Sequence, residues 1–231
     1  MATVLTDLIL NDYPTSDGRP MAETDWHRIL MNALIQILDA WYAREPMVYV
    51  SGNLLLFYER GNKRRHVSPD VFVVDGVAKR RRPNYLLWEE GKGPDVVIEL
   101  TSSSTRAEDT KKKFQLYQDT LRVQEYFLFD PLGHYLVPQL SGYRLHRRRY
   151  AAIREVEGRL PSQGLGLHLE AAGQELRLFD PASGQWLTTP EERAAQAEDE
   201  RDQERAARQQ AEAELARLRR EIQQERGGNS K

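Results

Sequence analysis

The sequence predicts an α/β protein, and three observations lead to this fold class. A strand over Val96–Leu100 is followed by a helix over about 106–120 and then by a strand over Glu125–Phe129. A strand–helix–strand succession is the βαβ unit that builds parallel sheet. A further strand, Val71–Val74, is apolar at every position, which is typical of a central strand covered on both faces.

The first predicted element is a long amphipathic helix over Met21–Arg44. Apolar side chains recur there at steps of three and four, which marks one buried face. They are Trp26, Ile29, Leu30, Ala33, Leu34, Ile37, Leu38 and Trp41. Pro46 ends the helix because proline cannot continue it. Alternating apolar residues then predict strands within Met47–Tyr58, interrupted at Gly52 by a bend or a bulge.

The remaining elements of the body are shorter. Tyr85–Trp88 is predicted as a strand, and the hydroxyl-rich segment Thr101–Thr105 offers N-caps for the following helix. Further short strands are expected over 143–145, 165–169 and 176–179, with a hairpin loop over 181–184. The expected organisation is one domain over residues 1–187, with a core at about 21–131 and a β-rich C-terminal extension over 132–187.

Residues 188–231 form a helical tail that differs in kind from the body. Thr189 is the expected N-cap and Pro190 the first helical residue. Apolar residues fit a and d positions of a heptad mainly near the end of the tail. They are Ala197, Ala211, Leu215, Leu218 and Ile222. Two interpretations stay open: a lone charged helix, or a weak coiled coil that joins two copies of the chain through residues 191–226.

Composition excludes several classes of protein. No apolar run is long enough to span a membrane, and the first residues lack the pattern of a signal peptide. The absence of cysteine excludes disulfides and thiolate ligands and agrees with a reducing compartment, so a cytoplasmic protein is expected.

The net charge of −2 does not indicate a nucleic-acid-binding protein, but basic residues are clustered along the body. The clusters are Arg60 with Lys63–Arg65, Lys79–Arg82, Lys111–Lys113 and Arg147–Arg149. Such patches can bind phosphates although the whole chain is nearly neutral. Solvated loops and turns are an equally good interpretation of each cluster.

Two acidic residues lie among apolar strand residues, and they are the strongest indication of a functional site in the sequence. Asp70 precedes Val71–Val74, and Glu99 lies within Val96–Leu100. Burying a carboxylate is costly unless it is paired or binds a cation. Two carboxylates at neighbouring strands can share Mg²⁺, which keeps water ligands for a substrate. The alternative is that each acid forms a salt bridge with an arginine of the chain.

Lys113 is the lysine that could complete this site. On the helix after Glu99, the residues Asp109, Lys113 and Tyr117 follow each other at steps of four and share one face. Lys111 and Lys112 point elsewhere. A lysine beside a metal can position the attacking water or stabilise charge on a phosphate. Taken without the two acids, Lys113 would be a solvated surface lysine.

Other titratable residues give weaker signals. Asp95 lies four residues before Glu99, about 13 Å away along a strand, and we interpret it as structural. His27 and Glu23 are four residues apart on the first helix. They are secondary candidates beside the site, although a surface pair is the simpler interpretation. No histidine pair has the spacing of zinc ligands.

These residues, taken in order, resemble the Uma-two family of restriction-endonuclease-like proteins, which belongs to the PD-(D/E)XK nuclease superfamily. The resemblance is carried by Pro69-Asp70, by the segment 96–105 that contains Glu99, by Asp109 to Tyr117, and by Glu125–Pro131. It implies a restriction-endonuclease-like core in which helices flank a mixed sheet. Thr101 stands where the superfamily motif has lysine, and Lys113 matches the position that replaces it.

The resemblance implies a Mg²⁺- or Mn²⁺-dependent endonuclease that hydrolyses DNA phosphodiester bonds. Asp70 and Glu99 would bind the metal, and Lys113 would act with them, while Glu23, His27, Asp109 and Tyr117 are secondary candidates. The alternative is a catalytically silent module with the nuclease fold. Such a module would bind nucleic acid or protein and assemble through its C-terminal helix.

Overall fold

A computed structural model of the chain describes residues 12–16, 25–102 and 104–228, apart from the side chains of 216, 218 and 220–228. The chain divides into two compact units, the first ending at Leu187 and the second beginning at Thr188.

The largest sheet of the first unit contains six strands among the described residues. They are β1 (Val48–Ser51), β4 (Val71–Asp75), β6 (Val96–Leu100), β7 (Glu125–Phe129), β8 (Leu140–His146) and β9 (Arg149–Ala152), side by side in this order. The β6 and β7 strands are parallel, and every other neighbouring pair is antiparallel. This mixed sheet confirms the α/β fold class and the predicted strand–helix–strand unit.

Two smaller sheets complete the strands of this unit within the described ranges. One joins β2 (Leu56–Phe57), β3 (His66–Val67) and β5 (Tyr85–Leu86), and the other joins β10 (Leu160–Ser162), β11 (Leu167–Ala172), β12 (Glu175–Asp180) and β13 (Gln185–Trp186). The segment 132–187, expected as an extension, therefore contributes β8 and β9 to the main sheet and a separate four-stranded sheet.

The first helix, α1, spans Asp25–Trp41, and residues 21–24 of the predicted helix lie outside the described residues. Its buried side chains are Met31, Leu34, Ile37 and Leu38. The predicted buried face was wrong at three positions, because Trp26, Ile29 and Trp41 are 51%, 53% and 38% exposed. Helical spacing identifies an apolar stripe, but the width of the stripe that is covered depends on the neighbouring elements.

The main sheet separates two apolar clusters. On one face α1 and the four-stranded sheet pack against the strands, with Leu34, Leu38 and Leu169 fully covered. The other face is richer in aromatic residues and is covered partly by the helix that joins β6 to β7. Because β4, β6 and β7 are covered on both faces, a charged side chain on them must find partners inside the protein.

The helix between β6 and β7, called the crossover helix below, is continuous over 106–121. It contains two π-helical segments, Glu108–Lys113 and Leu116–Leu121. The helix predicted over 106–120 is thus present, but its turns are wider than those of an α-helix. π-helical turns are rare and are often found at functional sites.

The predicted strand Tyr85–Trp88 was half wrong. Only Tyr85 and Leu86 are in β5, and α2 (Leu87–Glu90) follows as a single helical turn. This turn directs Glu90 to the buried Arg82, whose Nε and Nη2 atoms both donate to the carboxylate at 2.8 Å. The Arg82 guanidinium also lies over the Tyr49 ring, 4.1 Å from its centroid. A short run of apolar residues could not reveal an ion pair that depends on a helical turn.

The second unit consists of one helix, α3 (Pro190–Gly228). It begins with a capping box, in which Thr189 N donates to Glu192 Oε2 at 2.7 Å and Glu192 N donates to Thr189 Oγ1 at 3.1 Å. The predicted helix start is therefore confirmed, whereas self-association of α3 stays a prediction. Through the described part of the chain, no helix is both long and apolar enough to cross a membrane.

Glu90→Gln should lower the free energy of unfolding by about 2–3 kcal/mol at pH 7, because the buried Arg82 would lose its charged partner. The hydrogen bond from Arg82 holds the pKa of Glu90 below its ordinary value. A lowered carboxyl pKa contributes stability above the unfolded value of about 4.3, and the contribution is lost as the pH falls further. The difference between the two proteins should therefore shrink below about pH 4 in urea unfolding experiments.

Glu89→Gln is the matched control, because Glu89 is exposed on the same helical turn. Its effect should stay within about 0.5 kcal/mol. Equal losses for the two variants would contradict a specific contribution from the Arg82–Glu90 pair.

Candidate active site

Asp70 and Glu99 are brought together by the pairing of β4 with β6. The register places Val71 opposite Ile98, so that Asp70, just before β4, lies beside Glu99. Asp70 N donates to Glu99 Oε2 at 3.3 Å, and Leu100 N donates to Asp70 Oδ2 at 2.7 Å. The two acids predicted from the sequence therefore form one cluster, and each is held by backbone groups of the other strand.

Gly52 permits this arrangement. A Cβ atom at that position would lie 2.0 Å from the carbonyl oxygen of Asp70 and 2.7 Å from Ile35 Cδ1. Asn53 N donates to Pro69 O at 2.8 Å, which ties the same segment to the residue before Asp70. The break predicted at Gly52 is thus a close approach of two backbones that only glycine allows.

The crossover helix brings three side chains to Glu99. Lys113 Nζ lies 2.9 Å from Glu99 Oε2 and 3.2 Å from Asp109 Oδ1. Tyr117 OH donates to Glu99 Oε1 at 2.6 Å. The shared face predicted for Asp109, Lys113 and Tyr117 is therefore the face directed at Glu99, although the turns are π-helical.

His27 reaches the same cluster from α1. Its Nε2 atom lies 3.2 Å from Asp70 Oδ1, and both side chains are about one-seventh exposed, at 13% and 15%. The simpler interpretation of the sequence was a surface pair of His27 with Glu23. Glu23 itself lies outside the described residues. The structure places His27 in the site, next to Asp70.

Asp95 lies apart from these residues. Its carboxylate accepts a hydrogen bond from Asp75 N at 2.8 Å and lies 2.9 Å from Lys92 Nζ. Lys111 and Lys112 are exposed on the crossover helix. The second Pro-Asp pair of the sequence thus fixes the turn before β6.

The site crowds negative charge into a buried space. Glu99 is fully buried, and its pKa is raised well above the ordinary value by burial and by the charges of Asp70 and Asp109, although Lys113 opposes this. Burial also raises the pKa of Asp109 against the charge of Lys113. Three carboxylates therefore surround one lysine, with His27 as the other basic group of the cluster.

Asp70 and Lys113 keep their charged forms. Burial tends to raise the pKa of Asp70, but the contact with His27 and the charge of Lys113 outweigh it and leave the pKa below its ordinary value. Burial tends to lower the pKa of Lys113. The negative charges of Glu99 and Asp109 outweigh this effect and raise the pKa of Lys113 above the usual value for lysine. Lys113 is therefore a fixed positive charge and a donor of hydrogen bonds.

The donor set of this cluster suits a hard divalent cation. Asp70 and Glu99 offer carboxylate oxygens, and the excess of acidic over basic groups would be balanced by added positive charge. Through the described ranges, no three His, Asp or Glu side chains are gathered closely enough to hold an ion by themselves. The cluster fits a metal that takes much of its coordination from water or from a bound phosphate, as Mg²⁺ usually does.

Thr101 occupies the position of the lysine in the superfamily motif. Its side chain is 2% exposed, and its Oγ1 atom has no hydrogen-bond partner among the described residues. A buried hydroxyl without a partner is costly, and such groups commonly bind water or a ligand. Thr101, two residues after Glu99, therefore contributes a buried hydroxyl without a hydrogen-bond partner in the described part of the chain.

Two features of the site could not be read as firmly from the sequence. The contact between His27 and Asp70 joins residues 43 positions apart, so no local spacing signals it. Helical spacing alone predicted that Tyr117 shares a face with Lys113. Its hydrogen bond to the buried Glu99 carboxylate could not be predicted without the register of the sheet.

Comparison with known proteins identifies the family of the chain. The family model of Uma2, described as "Putative restriction endonuclease", matches residues 12–188. The chain belongs to the Uma2 family. The resemblance found in the motifs is thereby confirmed, and it extends through the residues of the site.

The Uma2 chain is also similar to a solved structure described as "a putative nuclease belonging to DUF820 from Anabaena variabilis". The identity is 17%, the TM-score is 0.47, and the match covers 66% of this chain and 80% of the other. None of the curated proteins matches the chain. Membership of Uma2 supports a nuclease-like function, and restriction-endonuclease-like families generally use divalent metals.

Lys113→Met should destabilise this Uma2 protein by about 3–5 kcal/mol at pH 7, because two buried carboxylates would lose their cation. The deficit should shrink as the pH falls toward 5, because the raised pKa values of Glu99 and Asp109 let both groups take up protons. Urea unfolding at several pH values measures this dependence.

Lys112→Met is the control, since Lys112 is exposed and its loss should change stability by no more than about 0.5 kcal/mol. Adding Glu99→Gln to Lys113→Met should recover part of the loss, because an amide needs no cation. A double variant that is less stable than Lys113→Met would contradict the coupling of the two side chains.

Proposed function

We propose that the protein is a metal-dependent endonuclease that hydrolyses phosphodiester bonds of DNA in the cytoplasm. The observation that carries this proposal is the position of Lys113 Nζ, 2.9 Å from Glu99 Oε2, beside a second carboxylate supplied by Asp70. Two acids and a lysine in one cluster are groups that metal-assisted phosphodiester hydrolysis can use, the acids to bind the ion and the lysine to stabilise charge. Membership of the Uma2 family supports the same reaction class.

Asp70 and Glu99 would hold the ion, Mg²⁺ or Mn²⁺, through their carboxylates. Bound there, the cation would polarise the phosphate and lower the pKa of a coordinated water. His27 would keep Asp70 oriented through its contact with Oδ1. Tyr117, which donates to Glu99 Oε1, would keep the Glu99 carboxylate turned toward Lys113.

Lys113 would supply a fixed positive charge to the site. Its raised pKa means that it keeps its proton while Glu99 and Asp109 are ionised. A protonated amine cannot remove a proton from water, so Lys113 would hold the attacking water by a hydrogen bond or stabilise the negative charge that grows on the phosphate. Asp109, 3.2 Å away, would position the amine.

The test is cleavage of plasmid and linear DNA with Mg²⁺, with Mn²⁺ and with EDTA. Asp70→Asn should reduce metal-dependent cleavage by about 10²- to 10³-fold, because one carboxylate of the ion site is neutralised. Asp95→Asn is the matched control, since Asp95 is the aspartate of the other Pro-Asp pair and lies outside the site.

Urea unfolding of both variants separates a lost site from a lost fold. Cleavage that is unaffected by EDTA, or that is equal in the wild type and Asp70→Asn, would overturn the proposal. Mn²⁺ binding by calorimetry gives a second readout, and Asp70→Asn should weaken that binding while Asp95→Asn should not.

A second candidate is a catalytically silent module that binds nucleic acid or protein. The observation that favours it is the closed network at Glu99, whose two oxygens already accept from Lys113, Tyr117 and Asp70 N. These three partners occupy most of the roughly four lone-pair sites of the carboxylate, which leaves little capacity to bind a metal. DNA binding without cleavage in the same experiments would support this candidate.

We further infer that α3 joins two copies of the chain through residues 191–226. The helix has 39 residues, and Leu215 is 54% exposed at an a position of the heptad. Isolated helices gain little stability of their own, whereas an apolar seam between two helices adds burial.

Leu215→Glu should lower the mass measured by light scattering from that of a dimer toward that of a monomer, because a charge would enter the seam. Ala213→Glu is the control, since Ala213 falls at the f position of the preceding heptad, on the outer side of the helix. A wild-type protein with the mass of one chain, or equal masses for both variants, would contradict assembly through α3.

A further inference from the structure

A groove runs along one side of the crossover helix, and Lys113 is one of the residues that line it. Its volume is about 690 Å³, which lies in the range of ligand sites. Helix residues between Glu108 and Thr120 form one wall, and the loop between β2 and β3 with the segment after it forms the other. The groove therefore passes the candidate active site at Lys113.

The side chains of the groove carry more positive than negative charge. Arg64, Arg65, Lys112 and Lys113 line it together with Glu108 and Asp119. Arg65 Nε is 3.1 Å from Glu59 Oε2, and Lys113 is paired with Glu99 and Asp109.

Arg64 and Lys112 differ from the other two cations. Both are exposed, and neither side chain has an ion-pair partner within the described part of the chain. One projects from each wall of the groove, Arg64 from the loop and Lys112 from the helix. Two such cations that face one groove can contact phosphates of a bound strand.

An aromatic ring lies in the same groove. Tyr58 is partly exposed, and the guanidinium of Arg65 lies over its ring, 5.3 Å from the centroid. Aromatic rings combined with a basic groove are how proteins hold single-stranded nucleic acid, since each base has a face that can stack. Tyr58 therefore adds a contact for a base to the contacts for phosphates.

We propose that this groove binds a single strand of nucleic acid, with phosphates at Arg64 and Lys112 and a base at Tyr58. The space is the size of a small-ligand pocket, which suits a few nucleotides of one strand better than a whole duplex. The inference rests on the proposed function in one respect: the strand continues to Lys113, where its next phosphate would be cleaved. An unpaired segment or a frayed end would then be the preferred substrate.

The test is fluorescence anisotropy with a labelled single-stranded oligonucleotide and with a duplex of the same sequence, both in EDTA so that metal-dependent cleavage is suppressed. The pair Arg64→Gln with Lys112→Gln is compared with the pair Arg60→Gln with Lys111→Gln. Each pair removes one charge from the same loop and one from the crossover helix. Arg60 and Lys111 are exposed but do not line the groove.

The groove pair should weaken single-strand binding several-fold and lower the slope of log K against log salt by about 1.4, the value for two single-strand phosphate contacts. The control pair should leave affinity and slope nearly unchanged. Tyr58→Leu should weaken binding about 10-fold without changing the slope, because a stacking contact releases no counterions.

Equal losses of single-strand affinity for the two double variants would overturn the proposal that the groove is the binding site, even if the wild type cleaves DNA. The proposal would also be overturned if the protein bound duplex as tightly as single strand, or if it bound no nucleic acid at all. A wild-type protein that binds single strands through the groove but never cleaves would overturn the proposed function and leave the binding site standing.

Discussion

The burial of Glu99 is the constraint on which the site and much of the surrounding structure depend. A carboxylate without exposure, on a strand covered on both faces, is tolerated only if hydrogen bonds and a cation compensate for the lost water. Lys113, Tyr117 and Asp70 N supply those partners from a helix and a neighbouring strand. The site and the fold are therefore stabilised by the same contacts, and the carboxylate could not be replaced without affecting both.

The fold satisfies this constraint through register and through helix geometry. The antiparallel pairing of β4 with β6 sets Asp70 beside Glu99, and Gly52 lets a neighbouring backbone approach Asp70 closely enough to hold it. The crossover helix then returns over the sheet to the parallel strand β7, so its inner face must pass Glu99. Its wide π-helical turns still present Asp109, Lys113 and Tyr117 together, because all three have partners on the same side.

The sequence predicted the elements whose signals are local. Apolar runs identified β4, β6 and β7, and helical spacing selected Lys113 over Lys111 and Lys112, because both patterns arise within one element. It failed where the outcome depends on packing between elements: Trp26 is exposed although it lies on the apolar stripe of α1. The contact of His27 with Asp70 was not predicted for the same reason, because only the packing of α1 on the sheet creates it.

Moving the lysine from the strand to the crossover helix has a physical consequence for the site. A lysine at the position of Thr101 would lie on the strand that carries Glu99 and would be fixed by the sheet. Lys113 instead belongs to a helix that also forms one wall of the basic groove. Asp109 restrains its amine at 3.2 Å, so the position of the charge depends on the helix as a whole. A strand bound in the groove would contact the same helix, and occupancy of the groove would thereby be coupled to the position of the only lysine that contacts Glu99 in the described part of the chain.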